Sequence, residues 1–201
     1  MYEKTSAVNT LSDLQNAFVK RIECMTLGYS EGQIIFDRYI DESLKNKTRQ
    51  KRATTSTEFE IHPDMKLTMS LKELLSASKT KKDLTCLFAQ ALLQHFSQKP
   101  SFKLVVVYDT KIKGQNFEEE HSHEEADTLI PHQVLASVTD EPWREVFVWS
   151  PDTDVFILLL HLASSGRLNS QTRLQFLTGR GAKFRVVDVL ERASVLGGWD
   201  T

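Results

Sequence analysis

The run from Lys103 to Tyr108 restricts the fold more than any other part of the sequence. It reads Lys-Leu-Val-Val-Val-Tyr and lies between Pro100 and Asp109. Consecutive β-branched residues without polar alternation are typical of a strand that is buried on both faces. Such strands belong mostly to parallel sheets that helices cover on both sides, so the run predicts an α/β fold.

Helices and further strands are expected on both sides of this run. Apolar residues at helical spacing predict a helix over residues 10 to 25, and they are Leu11, Leu14, Phe18 and Ile22. Shorter apolar runs bounded by turn residues predict strands at about 33 to 36 and 145 to 149. Helical patterns also cover about 126 to 138 and 188 to 195.

Three places carry the residues that usually begin a helix. Ser70 and Thr80 are each followed three residues later by an acidic residue, which is the spacing of a capping box. Ser150 followed by Pro151 predicts an N-cap and the first position of another helix. That helix is almost entirely apolar from Val155 to Leu162, so we expect it to be deeply buried.

The C-terminal part of the sequence predicts a β-hairpin. Gly179-Arg180-Gly181 lies between apolar runs at 174 to 177 and 183 to 187. The sequence has no internal repeat and no long low-complexity linker. Strands that alternate with helices therefore predict a single α/β domain over residues 1 to 201, with three α/β/α layers and a mostly parallel central sheet. In such sheets ligands bind beyond the carboxyl ends of the strands.

The composition excludes several classes of protein. The 201 residues are 40% hydrophobic, which is enough for a core, and 25 basic against 27 acidic residues exclude a uniformly basic nucleic-acid coat. The longest apolar run, Val155 to Leu160, is shorter than the roughly 20 residues of a membrane helix, and the first residues lack a signal-peptide core. With only Cys24 and Cys86, we expect an intracellular protein, nuclear or cytoplasmic, that is not secreted and does not contact a membrane. Length and charge do not determine its oligomeric state.

Acidic residues stand where this architecture places a site. Asp37 follows the first predicted strand. Glu125 and Asp127 lie at the start of the helix at about 126, and Asp152 and Asp154 follow the strand at 145 to 149. Five adjacent negative charges repel one another unless a cation neutralises them, and oxygen ligands suit Mg²⁺ or Mn²⁺ rather than Zn²⁺. Two such ions about 4 Å apart would activate water and stabilise the leaving oxygen of a phosphodiester. A helix N-terminus also prefers acids, so spacing alone leaves both interpretations open.

The most basic stretch lies within residues 42 to 54. Five positive charges fall within eight positions, and they are Lys45, Lys47, Arg49, Lys51 and Arg52. Flexible cations outside a core can bind phosphates, but a solvated helix face has the same composition. The sequence therefore leaves both roles open for this stretch.

Taken together, these segments resemble a known family. The runs Ile35-Phe36-Asp37-Arg38-Tyr39, Glu124-Glu125-Ala126-Asp127-Thr128 and Ser150-Pro151-Asp152-Thr153-Asp154-Val155 have the order found in the PIN-like nuclease fold. The likeness is to its flap endonuclease and XPG branch, and it is closest to a large group of eukaryotic PIN-like proteins. It covers about residues 10 to 190.

The resemblance implies hydrolysis of DNA or RNA phosphodiester bonds that depends on Mg²⁺ or Mn²⁺. Asp37 matches the acid after the second family strand. Glu125 and Asp127 match the paired acids of the middle motif, and Asp152 and Asp154 match the next pair. All five would bind the metal and act in catalysis.

The resemblance also implies a nucleic-acid partner, branched or single-stranded. The basic stretch lies where relatives handle the substrate strand. Lys45, Arg49 and Arg52 would then bind nucleic acid through its phosphates.

Two parts of the family pattern have no counterpart in the sequence. No strand with a metal-binding aspartate precedes the helix at residue 10, and Asp200 has only Thr201 behind it. We therefore expect a domain that is incomplete at both termini, as a fragment, a mispredicted gene product or a decayed relative. The alternative to an active nuclease is a catalytically inactive PIN-like module that binds nucleic acid or protein, or a fragment with no stable fold.

Other residues with functional potential have ordinary interpretations. His121 and His123 could bind Zn²⁺ or Ni²⁺, but without a nearby Cys or a third His we expect a solvated loop. Asp109 follows a strand, where Asp-Thr is common turn chemistry. Trp149 and the other two tryptophans are expected in the core or at its rim, because no aromatic ladder accompanies the basic stretch.

Overall fold

The structure is a computed structural model that describes residues 8–39, 57–123, 125–140, 144–169 and 171–197. Several residues discussed above lie outside these ranges, and they are Lys45, Lys47, Arg49, Lys51, Arg52, Glu124, Trp143, Trp199, Asp200 and Thr201. The described chain is mixed α/β, with helices and two β-sheets. It divides into an N-terminal unit that ends at Glu124 and a C-terminal unit that begins at Glu125.

The N-terminal unit contains helices and a four-stranded sheet. The helices are α1 (Leu11–Met25), α2 (Leu71–Leu74) and α3 (Ser78–Ser97). The strands are β1 (Glu31–Ile35), β2 (Lys103–Tyr108), β3 (Lys111–Gly114) and β4 (Glu118–Glu120). The strand order is β1-β2-β3-β4, where β1 is parallel to β2 and the other two pairs are antiparallel.

Strand β2 is the centre of this unit. Every residue from Leu104 to Tyr108 is buried, which confirms the predicted strand with two covered faces. Helices α1 and α3 pack on one of these faces, where Ile22 and Leu92 join Leu104 and Val106 in one apolar core. Burial of this apolar run stabilises the unit.

Of the two helix starts predicted from capping boxes in the N-terminal unit, Ser70 is confirmed and Thr80 is wrong. Ser70 caps α2 by accepting a hydrogen bond from the Glu73 N–H, and at the start of α1 the Asp13 N–H donates to the Thr10 hydroxyl in the same way. Helix α3 instead begins at Ser78, two residues before Thr80. The Thr80 side chain is fully buried, and its hydroxyl accepts a hydrogen bond from the Phe59 N–H at 3.0 Å. Thr80 therefore satisfies a loop amide rather than the end of its own helix.

The C-terminal unit contains α4 (Ala126–Asp140), β5 (Glu145–Trp149), α5 (Thr153–Ser164), β6 (Arg173–Thr178), β7 (Arg185–Asp188) and α6 (Val189–Gly197). Its sheet has the order β5-β6-β7, with β5 parallel to β6 and β6 antiparallel to β7. The last pair is the predicted C-terminal hairpin. Its connection includes Gly179 at φ +80° and a 3₁₀ turn over Gly181–Lys183, so it is longer than a two-residue turn.

Helices α4, α5 and α6 share one core with a single face of this sheet. Val134, Leu159 and Val189 come from the three helices, and Val148 and Phe176 come from the strands. In the described ranges of the chain, no helix is both long and apolar enough to cross a membrane.

The predicted deep burial of α5 is wrong for one side of the helix. Val155, Leu159 and Leu162 are buried, but Ile157 is 60% exposed. A helix that packs against one sheet buries only the residues that recur at helical spacing on that side. The apolar composition of α5 therefore exceeds what its packing requires.

Candidate metal centre

Three carboxylates come together in the C-terminal unit. Asp127, Asp152 and Asp154 each offer one oxygen atom, and these oxygens lie within 4.8 Å of one another. Asp152 and Asp154 are exposed, while Asp127 is half-buried. Over the described ranges this is the one group of three or more His, Cys, Asp or Glu side chains at such spacing.

The path of the chain explains why these acids meet. Asp127 lies in the first turn of α4, which packs against α5. Strand β5 ends at Trp149, and α5 begins four residues later at Thr153, so the N-terminus of α5 stands at the carboxyl end of β5. Two helix N-termini thus direct the positive ends of their dipoles at the group, which offsets part of the repulsion between its charges.

Asp152 has a structural role besides any role in binding. It is the N-cap of α5, and its Oδ1 accepts a hydrogen bond from the Asp154 N–H at 2.9 Å. The Asp152 N–H in turn donates to the Ser150 hydroxyl at 3.1 Å, and the buried Ser150 N–H donates to the Leu177 carbonyl of β6. The predicted cap at Ser150 is therefore wrong by two residues. Ser150 positions Asp152, and Asp152 caps the helix.

The donor set fits a hard divalent cation. All three ligands are carboxylates, and the second oxygen of Asp152 is not used by the cap. Mg²⁺ prefers such oxygen ligands and retains several waters, which an exposed group accommodates. Neither thiolate nor imidazole belongs to the group, and these are the ligands typical of zinc sites.

The other two predicted metal ligands are not members of this group. Glu125 is half-buried directly before α4, and the group of three does not include it. Asp37 belongs to the N-terminal unit, where it follows β1 and is exposed. Because β1 and β2 are parallel, Asp37 and Asp109 both lie at the carboxyl edge of the four-stranded sheet.

This carboxyl edge also carries His121, which follows β4. Both nitrogens of the His121 ring are buried, and neither has a hydrogen-bond partner among the residues that the structure describes. Burial lowers the pKa of His121, and the charges of His123 and Arg38 lower it further. The ring nitrogens are therefore not in the solvated environment that the sequence predicted. Asp109 directly follows β2, and its carboxylate lies 3.2 Å from the Lys82 ammonium.

Comparisons with protein-family models, with curated proteins and with solved structures found no match to this chain. The PIN-like resemblance therefore depends on the sequence motifs alone. The geometry adds the convergence of Asp127 with Asp152 and Asp154, which the sequence spacing leaves open.

One exposed residue beside the acidic group was missed as a functional candidate. Trp149 ends β5 and is 46% exposed, so it lies outside the core. Its aromatic neighbour is Phe184, which precedes β7 and lies 35 positions away in the sequence. Only the pairing of β5 with β6 and of β6 with β7 brings the two rings together, and no local sequence signal reports that pairing.

Proposed function

We propose that this chain is a divalent-metal-dependent phosphodiesterase of the PIN-like class, with DNA or RNA as substrate. The observation that carries the proposal is the convergence of Asp127, Asp152 and Asp154. The group stands at the carboxyl end of the parallel pair β5 and β6, which is where α/β proteins generally bind ligands. The order of the acidic motifs in the sequence supports the same class.

In this proposal the three carboxylates hold Mg²⁺ or Mn²⁺. The ion would supply the positive charge that activates water and stabilises the leaving oxygen of the phosphodiester. Asp152 keeps a fixed direction because Ser150 and the Asp154 amide hold it. Asp37 and Glu125 are proposed as further ligands on the resemblance alone.

The proposal includes the three-layer PIN-like arrangement and a mostly parallel sheet. Support comes from one parallel strand pair in each unit, β1 with β2 and β5 with β6, whereas the other three strand pairs of the described ranges are antiparallel. The proposal also gives Lys45, Arg49 and Arg52 the role of phosphate contacts, and these residues lie outside the described ranges.

Metal binding is tested by thermal unfolding with and without Mg²⁺ or Mn²⁺. A ligand that binds only the folded state stabilises it by about 1.4 kcal/mol at ten times its Kd, so the Tm should rise. Asp152→Asn should abolish this rise, and it should raise the Tm of the metal-free protein because one repelling charge is lost. Asn also caps helices well, so α5 should remain intact.

Asp188→Asn is the matched control. Asp188 caps α6 by accepting a hydrogen bond from the Glu191 N–H at 2.9 Å, but it is outside the acidic group. This variant should keep the full Tm response to metal. Equal responses in Asp152→Asn and the parent chain would contradict the proposed centre.

Activity is tested by cleavage of branched and single-stranded DNA and RNA in Mg²⁺ or Mn²⁺. The parent chain and Asp188→Asn should cleave, and Asp152→Asn should not. If the parent chain binds metal and nucleic acid but cuts none of these substrates, the inactive binding module replaces the nuclease as the function.

A further inference from the structure

The three-stranded sheet of the C-terminal unit has a row of apolar residues at one end of the face that its helices do not cover. Val148 and Phe176 point into the core beneath α4, α5 and α6. The register places Trp149, Leu177 and Val186 side by side on the opposite face, one from each strand. Trp149 is 46% exposed and Val186 is 53% exposed. We call this row, together with Phe184, the outer face.

The outer face presents two accessible aromatic rings. Phe184 is 40% exposed and meets Trp149 edge to face, with ring centroids 6.2 Å apart and planes at 70°. An edge-to-face pair leaves part of each ring surface open to a third flat group. Exposed rings of this kind can stack on nucleic-acid bases, and every base offers a π-face.

Two cations lie in the connection that carries one of these rings. Arg180 and Lys183 lie between β6 and β7, both are exposed, and Lys183 directly precedes Phe184. Among the described residues neither of them forms an ion pair with a carboxylate, whereas Arg173 at the other end of the sheet faces Glu145 at 4.0 Å. Arg185 is also exposed, but its pairing with Thr178 places it on the face opposite Val186.

We propose that the outer face binds single-stranded nucleic acid, with bases stacked on Trp149 and Phe184 and phosphates held by Arg180 and Lys183. A purely apolar partner would leave the two cations without counter-charges, while a single strand supplies phosphates beside its bases. Trp149 precedes Asp152 by only three residues, so a strand bound here lies beside the acidic group. In naming the substrate as single-stranded, this inference rests on the proposed nuclease function.

The test is binding of labelled single-stranded oligo(dT) and oligo(U) to the full chain in EDTA, followed by fluorescence anisotropy. Trp149→Leu keeps the apolar bulk but loses the stacking ring, and it should weaken binding by about tenfold or more. Trp149→Phe should retain most of the affinity. Ile157→Ala, which changes an exposed apolar residue on α5, should bind as the parent chain does.

The cations are tested through the dependence of affinity on salt. Changing Arg180 and Lys183 to Gln together should reduce the slope of log K against log salt by about 1.4, since each phosphate contact on a single strand contributes about 0.7. Arg167→Gln is the matched control, because Arg167 is also exposed but lies after α5. Its slope should equal that of the parent chain.

Failure of this inference is distinguishable from failure of the nuclease proposal. Asp152→Asn with Asp154→Asn should keep binding in EDTA while it loses cleavage. Equal affinities for Trp149→Leu and Trp149→Phe would overturn the stacking role. If a glutamate-rich peptide binds equally tightly and displaces the oligonucleotide, the surface is a protein-binding one. If Trp149→Leu loses dimers but keeps nucleic-acid binding, the surface is a contact between copies of the chain.

Discussion

A histidine ring whose nitrogens are buried is costly to protonate, because its charged form is poorly solvated. His121 is in this position, since both of its ring nitrogens are buried and lack a hydrogen-bond partner within the described ranges. Burial is the largest cause of its lowered pKa, and nearby charges of His123 and Arg38 act in the same direction, while Asp109 opposes them. The folded state therefore binds a proton at His121 less readily than the unfolded chain does.

This difference predicts a loss of stability in mild acid. Because the folded pKa of His121 lies below the ordinary value of 6.5, the contribution is fully present above that pH and is lost as the pH falls through the folded pKa. Urea unfolding from pH 8 to pH 5 should show this decline, and His121→Phe should reduce it. His62→Gln, at an exposed position, is the control and should leave the decline unchanged.

At the scale of single residues, the sequence predicted the acid pairs better than their local roles. The acid-x-acid spacing identified Asp152 and Asp154, and both belong to the group of three. It could not show that Asp152 is also a helix cap, because Ser150 and Asp152 are both favourable capping residues. The choice depends on β5, whose pairing with β6 engages the Ser150 amide.

Among the elements, helix α5 shows how packing selects from an apolar sequence. Leu159 is fully buried against the sheet, while Ile157, two residues earlier, faces away and is 60% exposed. The two positions have similar side chains and the same helical backbone. Comparing the same kind of substitution at the two positions therefore separates the free energy of burial from the effect of helix propensity.

We predict different outcomes for truncation at these two positions. Leu159→Ala should lower the free energy of unfolding by about 2–5 kcal/mol, because it removes buried apolar surface and leaves a cavity. Ile157→Ala should change it by about 0.5 kcal/mol or less, as at most surface positions. Chemical denaturation of both variants measures the difference. Similar losses at both positions would show that Ile157 is covered in solution.

The strands that the sequence did not predict share one cause, since their formation depends on partners that are not evident from their own residues. Strands β3 and β4 were not expected, because Glu118–Glu120 is a run of exposed acids. In the structure Lys111 and Lys113 of β3 bind Glu118 across the strand pair, and their ammonium groups lower the pKa of Glu118 to about 2. Such cross-strand pairs stabilise a sheet, and a charged edge strand also resists pairing with other chains.

For the whole molecule, the most direct consequence of the fold is that each unit has its own core. Leu104 of β2 lies in the core beneath α1 and α3, and Leu174 of β6 lies in the core shared with α4, α5 and α6. Both leucines are fully buried and both lie in strands. The pair allows each core to be weakened separately by the same chemical change.

We predict that each truncation acts mainly on its own unit. Leu104→Ala and Leu174→Ala should each cost about 2–5 kcal/mol of unfolding free energy. Hydrogen exchange should show the loss of amide protection concentrated at 8–123 for the first variant and at 125–197 for the second, because local stability follows local cores. A uniform loss over both ranges in either variant would contradict separate cores.

The sequence predicted the α/β class and the buried strand β2, because long apolar runs and helical periods are local signals. It did not reveal the outer face, which depends on strand register. Alternation alone does not show that Trp149, Leu177 and Val186 form one row, since this requires knowing which strand pairs with which.

The double role of Asp152 has a consequence for how such a chain can change over generations. A single exchange of its carboxylate for a carboxamide removes one charge from the centre yet preserves the hydrogen bond that starts α5. In the proposed nuclease, one codon change can therefore abolish metal-dependent cleavage without altering the fold. An inactive descendant and its active ancestor would then have almost the same structure.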